Sequence, residues 1–159
     1  MHTSTIIDLP AAEPRLNYRQ AAPHVLAAMR ELQAAVDRSS LEPALLELVK
    51  LRVSQLNGCA FCLDMHSRDA RQAGETEQRI YLLNAWAETT LYTRRERAAL
   101  RWCEVLTRLS SGPVHDEEFA AAREEFTEPE LAELTLAIVS VNGWNRFGVG
   151  FRMPLGFNH

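Results

Sequence analysis

Residues 47–66 read ELVKLRVSQLNGCAFCLDMH and contain two helical patterns separated by a turn signal. Apolar residues before the turn recur at intervals of three and four, which is the period of an α-helix rather than that of a strand. Asn57 and Gly58 favour the turn or left-handed conformation that ends a helix, so the next helix is predicted to begin at Cys59. This stretch therefore predicts a helix, a turn and a second helix.

The same helical period continues through most of the chain and predicts an all-α fold. Three serine or threonine residues are followed by a glutamate in the capping-box pattern that opens helices, namely Ser39 with Glu42, Thr93 with Glu96 and Thr127 with Glu130. An irregular head is predicted over residues 1–16, and the tail from Gly148 has no clear pattern. Helices are predicted over residues 23–37, 41–56, 59–74, 77–88, 93–109, 116–125 and from 127 through 141.

Composition places limits on the partners of the protein. A length of 159 residues with 47% hydrophobic content predicts one domain, residues 1–159. Because 21 acidic residues outnumber 17 basic ones and no long basic block occurs, nucleic acid is not an expected partner. No apolar run approaches the roughly 20 residues that cross a bilayer, and the first residues do not resemble a signal peptide, so we expect no membrane association and a cytoplasmic location.

Three residues of the quoted stretch, Cys59, Cys62 and His66, carry the candidate chemistry. Their spacing of three and four residues places both thiols and the imidazole on one helical face. The two cysteine α-carbons are expected ~5 to 5.5 Å apart, a separation that a disulfide tolerates. Either sulfur could be activated, Cys59 by the helix N-terminus and Cys62 by His66. Glu47, on the preceding helix, is expected to reach back across the turn and orient His66.

Other interpretations of these residues remain open at this point. The two cysteines, the histidine and Glu47 are ligand types that zinc accepts, although no second CxxC supplies the separate arm that structural zinc sites usually have. The pair could also be buried and unreactive, and Glu47 could simply pair with Lys50 or Arg52. A thioredoxin fold is disfavoured because its CxxC follows a strand. Cys103 is predicted to be a small core residue.

The pattern Glu47, eleven residues, CxxC, three residues, His66 resembles the core of the AhpD-like alkylhydroperoxidases within the carboxymuconolactone decarboxylase superfamily. The resemblance extends through GETEQR at residues 74–79, YTRRERAAL at 92–100 and VNGWNR at 141–146. It covers most of the chain, from about residue 17 to residue 152. One departure is Phe61, because the best-known members have a histidine immediately before the second cysteine.

The resemblance implies a helical bundle of about six to seven helices that assembles as a homotrimer or homohexamer. It implies a peroxidase that reduces hydrogen peroxide or organic hydroperoxides, with Cys62 as the peroxidatic cysteine, Cys59 as the resolving cysteine, and Glu47 with His66 as a proton relay. It implies no metal and no organic cofactor, and a dithiol reductant that is a lipoyl protein or a thioredoxin-like protein. Lactone decarboxylases of the superfamily lack the CxxC pair, so decarboxylation is not expected.

Two alternative functions share this fold and motif. One is a disulfide reductase or redox sensor with little peroxidase turnover, and the other is an oligomer that binds zinc or a small ligand and never cycles its thiols. Asn142, Trp144, Asn145 and Arg146 are expected to mark a helix end with subunit packing in preference to a substrate contact. Phe61 and Met65 are expected to line a pocket or an interface, since apolar walls suit an organic hydroperoxide.

Overall fold

The computed structural model describes residues 13–156, and within them it contains helices and no strand. The all-α prediction is therefore confirmed, while residues 1–12 of the predicted irregular head lie outside the described residues. The α-helices are α1 (Tyr18–Ala21), α2 (Pro23–Asp37), α3 (Pro43–Asn57), α4 (Ala60–Gln72), α5 (Glu77–Tyr81), α6 (Arg94–Thr107), α7 (Asp116–Glu125) and α8 (Glu128–Gly150). Two 3₁₀ helices, η1 and η2, cover Leu83–Glu88 and Leu109–Ser111.

Helix α3 lies at the centre of the packing and contacts α4, α6 and α8. One of its faces contributes Val49 and Val53 to a hydrophobic cluster with α6 and α8. Another face contributes Leu48 and Leu51 to a second cluster with α4, α6 and η1. A helix that is buried on two faces needs apolar residues beyond a single stripe, which explains its weak amphipathic pattern.

The turn between α3 and α4 has the predicted form. Gly58 adopts φ 66° and ψ 34°, a left-handed conformation that glycine reaches without steric cost, and it ends α3. Cys59 then serves as the N-cap of α4. The tight reversal places the first turn of α4 beside the last turns of α3, so it brings the CxxC next to residues of the preceding helix.

The helix predicted over residues 77–88 is broken into α5 and η1. Leu82 leaves the helical conformation with φ −91° and ψ 1°, and Ala85 is distorted as well. The guanidinium of Arg97 donates hydrogen bonds to the carbonyls of Trp86 and Thr89, at 3.0 and 2.8 Å. These contacts from α6 hold the segment in a tighter conformation, and hydrophobic period alone does not reveal them.

Helix α8 is longer than predicted, since it runs past Val141 to Gly150. The sequence did not predict this extension because glycine inside a helix costs ~1 kcal/mol relative to alanine, and the segment contains several glycines. Two of these glycines lie in close packing, Gly143 against Met29 and Gly148 against the cysteine pair. No helix within residues 13–156 has the length and apolarity needed to cross a membrane.

Two of the three predicted capping boxes are present. The boxes of Thr93 with Glu96 and of Thr127 with Glu130 open α6 and α8. The prediction for Ser39 and Glu42 is wrong, because Glu42 itself is the N-cap of α3 and Pro43 occupies the first turn. The Ser39 hydroxyl is buried and has no hydrogen-bond partner among the described residues.

The contrast between the capping hydroxyl of Thr127 and the unpartnered hydroxyl of Ser39 leads to a stability prediction. Thr127→Ala is expected to lower the free energy of unfolding by about 1 kcal/mol, because an amide of the first turn loses its acceptor. Ser39→Ala is the matched control and is expected to leave that free energy unchanged or slightly higher, since its hydroxyl is buried without a partner. Urea unfolding followed by circular dichroism measures both variants. An equal loss in the two would mean that the Ser39 hydroxyl also has a stabilising contact.

Candidate active site

The CxxC pair lies at the N-terminal end of α4. The Cys59 Sγ accepts a hydrogen bond of 3.3 Å from the backbone N–H of Cys62, as an N-cap side chain does. The two cysteines form a disulfide, and their Cα atoms are 5.3 Å apart. The separation expected from helical spacing is therefore confirmed, and the two sulfur atoms can bond without a rearrangement of the backbone.

The two sulfur atoms differ in their access to a cavity. Cys62 lines a cavity of about 250 Å³, whereas Cys59 is absent from the described residues that line it. Both cysteines are buried, with 1% of Cys59 and 2% of Cys62 exposed. A small molecule in the cavity would therefore meet Cys62 first.

Glu47 and His66 meet across the turn, as the sequence predicts. The Glu47 Oε2 lies 3.0 Å from the His66 Nδ1, and both residues line the same cavity as Cys62. The other carboxylate oxygen, Oε1, accepts a hydrogen bond of 2.8 Å from the Lys50 Nζ. The pairing with Lys50 that was considered as an alternative thus occurs together with the histidine contact. Arg52, the other candidate partner, binds Glu104 instead.

The environment keeps the Glu47 carboxylate charged. Burial by itself would raise the pKa of Glu47, but the hydrogen bonds and charges of His66 and Lys50 outweigh it, so the pKa is lowered. An ionised carboxylate only accepts hydrogen bonds, so the proton of the imidazole facing it resides on Nδ1. The His66 Nε2 is then the nitrogen that can exchange a proton within the cavity.

The cavity walls are mainly aromatic and apolar. Phe61 and Met65, which were predicted to line a pocket or an interface, are both part of the lining. Most of the lining surface is apolar, and the polar side chains in the lining are Arg19, Gln33, Glu47, Lys50, His66 and Asp69. The apolar and aromatic members of the lining are Tyr18, Phe61, Met65, Ala137, Val141, Trp144 and Met153.

Asn142, Trp144, Asn145 and Arg146 do not mark a helix end as expected, because α8 continues to Gly150. Arg146 is exposed and donates to the carbonyl of Asn142. Asn145 is 1% exposed; its Nδ2 donates to the Ser54 Oγ at 3.0 Å, and its Oδ1 accepts from the Asn57 Nδ2 at 2.9 Å. Asn142 also accepts from Asn57, so the two asparagines fasten α8 to the end of α3. Trp144, in contrast, lines the cavity. Polar residues within an otherwise apolar helix were the sequence signal for this group.

Gly148 is a site residue that the sequence did not indicate. It lies on α8 directly against the two sulfur atoms. The sequence from Gly148 onward has no helical pattern, so it gave no reason to place this glycine on α8 beside the cysteines. Its position follows from the extension of α8 over the first turn of α4.

Within residues 13–156, one group of side chains has ligand atoms close enough together to hold a metal ion. Ligand atoms of Glu47, His66 and Asp69 lie within 4.8 Å of one another. The group contains neither cysteine, so it differs from the zinc site with four ligands that was considered from the sequence, and a disulfide sulfur is not a thiolate ligand. The ammonium of Lys50 on Glu47 further opposes a cation at this position.

Cys103 lies apart from the site, as predicted. It is fully buried in the hydrophobic core, and its Sγ donates to the carbonyl of Leu100. Burial raises the pKa of this thiol well above its usual range, so it remains protonated. A buried, protonated thiol is unreactive, which makes Cys103 an internal reference in thiol measurements.

Residues 23–104 match the model of the carboxymuconolactone decarboxylase family, and this range includes Cys59, Cys62, His66 and Glu47. The chain is 44% identical over 135 residues to the uncharacterized protein YdfG of Bacillus subtilis, covering 85% of this chain and 92% of YdfG.

Solved structures share the fold. A protein of unknown function from Agrobacterium tumefaciens, with a suggested role as the antioxidant defence protein AhpD, superposes with a TM-score of 0.88. It is 39% identical, and the match covers 92% of this chain and all of that one, 100%. A peroxidase-related protein from Ralstonia eutropha with an alkylhydroperoxidase AhpD core has a TM-score of 0.76 at 18% identity, covering 90% of this chain and 77% of its own. The latter similarity concerns the fold alone.

Proposed function

This chain belongs to the carboxymuconolactone decarboxylase family and is AhpD-like within it, and from that premise we propose that it is a thiol-dependent peroxidase. Its substrates would be hydrogen peroxide or organic hydroperoxides. The observation that carries the proposal is that Cys62 shares a cavity with the Glu47 and His66 pair while Cys59 lies within bonding distance behind it.

The first step is the attack of Cys62 on the peroxide. The His66 Nε2 takes the proton of the Cys62 thiol, and the thiolate so formed attacks one oxygen of the O–O bond, which breaks as the sulfur is oxidised to a sulfenic acid. The leaving oxygen takes a proton from the His66 Nε2 and departs as an alcohol, or as water when the substrate is hydrogen peroxide. Glu47 accepts a hydrogen bond from Nδ1 and so holds the imidazole in this orientation.

The second step joins the two cysteines. The Cys59 sulfur attacks the sulfur of the Cys62 sulfenic acid, the S–O bond breaks, and water leaves after the oxygen takes up a proton. The product is the disulfide between residues 59 and 62. The 5.3 Å separation of the Cα atoms supports this step, because it suits the bonded state.

The histidine contributes more than thiol activation does. Lowering a cysteine pKa from ~8.5 to ~6.5 raises the thiolate fraction at pH 7 by roughly 25-fold, but weaker nucleophilicity removes about 6- to 10-fold of that gain. A positioned acid that protonates the leaving oxygen supplies about 10² to 10⁴ in rate. The placement of His66 in the cavity supports this role.

The reductant and the assembly state stay predictions. A dithiol donor restores the enzyme by exchange, in which its own sulfur atoms become a disulfide and both cysteines return to thiols. We propose a lipoyl protein or a thioredoxin-like protein for that role. The homotrimer or homohexamer is likewise an expectation from the family, and it can be measured by light scattering.

A hydroperoxide titration tests the proposed function. The reduced protein has three thiols, and one molar equivalent of cumene hydroperoxide is expected to remove two of them per chain while Cys103 remains. Mass spectrometry of peptides should place the new bond between residues 59 and 62. If all three thiols survive the peroxide but a disulfide reagent still oxidises the pair, the protein is a disulfide reductase or a redox sensor.

A metal measurement tests the remaining alternative. Protein purified without chelator is expected to contain much less than one zinc per chain, and to lose the same two thiols whether or not chelator is present. About one zinc per chain, with thiols that react only after chelation, would favour the zinc-binding function.

A further inference from the structure

We infer that Gly148 is a positioning residue for the disulfide step, because its missing side chain leaves the space that the Cys59 sulfur occupies. The inference rests on the proposed function and extends it to a residue on another helix. A Cβ atom placed at Gly148 with ideal geometry would lie 2.7 Å from the Cys59 Sγ and 3.3 Å from the Cys62 Sγ. The first distance is too short for a carbon and a sulfur atom that are not bonded to each other.

Other glycines of α8 show that Gly148 is a special position. A Cβ at Gly150 would meet nothing within 4 Å, and a Cβ at Gly143 would meet only the flexible end of Met29. Glycine inside a helix is destabilising relative to alanine, so its presence at a crowded position needs a packing reason. At Gly148 that reason is the pair of sulfur atoms.

While it is part of the disulfide, Cys59 has little room to move away from α8. Its Sγ is bonded to Cys62 and accepts a hydrogen bond from the N–H of Cys62, and 1% of the residue is exposed. Helix α8 also resists moving away from the cysteines, because Asn145 is hydrogen-bonded to Ser54 and Asn57 on the end of α3. A methyl group at position 148 would therefore press on a sulfur that the disulfide and the N–H of Cys62 hold in place.

A side chain at position 148 should affect the formation of the disulfide more than the attack on peroxide. In the disulfide the Cys59 sulfur is covalently fixed, whereas a free Cys59 thiol can rotate to another staggered position. A side chain at position 148 consequently destabilises the disulfide more than the dithiol. It also hinders Cys59 more than Cys62, so the attack of Cys62 on peroxide should be less affected than the closing of the disulfide.

A redox equilibrium tests this without any peroxide. The wild type, Gly148→Ala and Gly150→Ala are equilibrated in buffers of oxidised and reduced dithiothreitol, and the disulfide fraction is measured by thiol labelling. Gly148→Ala is expected to lower the equilibrium constant for disulfide formation by about tenfold, as overpacking of a fixed contact does. Gly150→Ala is the matched control and is expected to match the wild type. Equal constants in all three proteins would overturn the inference.

A kinetic measurement separates the steps when the peroxide reaction occurs. In Gly148→Ala the sulfenic acid on Cys62 is expected to persist about tenfold longer, measured by dimedone trapping, because the closing step meets the crowding. The loss of the first thiol should slow by less than about threefold, since the Cys62 sulfur is the less crowded one. Equal slowing of both steps would contradict a role in positioning Cys59. If the wild type fails to react with peroxide, the proposed function fails, and the dithiothreitol equilibrium still decides on Gly148.

A double variant shows whether the contact is with the Cys59 sulfur. Gly148→Ala is expected to lower the thermal midpoint of the oxidised protein or prevent folding. In a Cys59→Ala background the nearer sulfur is absent and only the 3.3 Å contact with Cys62 remains, so the same change is expected to cause a much smaller loss. A loss of the same size in both backgrounds, or a failure to fold in both, would overturn the inference.

Discussion

Cys62→Ser is expected to abolish the reaction with hydroperoxide, with a fall of at least about 10³-fold in the rate of peroxide consumption. Cys62 is the sulfur that lines the cavity, and a serine hydroxyl is not ionised at neutral pH. The remaining thiols cannot substitute, because Cys59 lies behind Cys62 and Cys103 is buried and protonated. Stopped-flow measurement with cumene hydroperoxide determines the rate.

Cys59→Ser is the matched variant at the neighbouring position. It is expected to react with one equivalent of peroxide at a rate similar to that of the wild type and then to stop at the sulfenic acid. Dimedone should add to Cys62 in this variant, and mass spectrometry locates the adduct. If Cys59→Ser is instead inert while Cys62→Ser reacts, the roles of the two cysteines are reversed.

His66→Ala is expected to lower the rate of peroxide reduction by about 10² to 10⁴, because the leaving oxygen loses its proton donor. Alkylation of Cys62 by iodoacetamide involves no oxygen leaving group, so its rate should change much less, by roughly threefold to tenfold. The comparison of the two rates separates proton donation from activation of the thiol. Equal losses in both assays would mean that the histidine acts only on the thiol pKa.

Glu47 binds His66 and Lys50 through different carboxylate oxygens, so variants of Glu47 and Lys50 test whether the contact with the histidine is the one that matters for turnover. Glu47→Gln removes the charge that orients His66 and should reduce peroxide turnover in the same direction, although by less than His66→Ala. Lys50→Met removes the partner of the other carboxylate oxygen, while the contact of Glu47 with His66 should persist. A loss in Lys50→Met as large as that in Glu47→Gln would indicate that Lys50 itself takes part.

Most of the fold was predictable because helices are specified by short-range patterns. The bounds of α2 and α7 agree with the residues predicted for them, and the turn at Gly58 has the predicted conformation. The exceptions are the break after α5, the late part of α8 and the short α1. Each of these has contacts with residues elsewhere in the chain: Arg97 with the segment after α5, Gly148 with the cysteine pair, and Tyr18 with Phe147.

Local spacing determined that Cys59, Cys62 and His66 share one face of a helix and that Glu47 lies one tight turn before them. This could be predicted because residues three and four apart lie on the same face of a helix, and because a glycine in the left-handed conformation ends a helix. Which sulfur meets the cavity, and what covers the other, depends on α8, whose position is set by core packing and by the contacts of Asn145 with Ser54 and Asn57. Such contacts join residues far apart in the chain, and no local pattern encodes them.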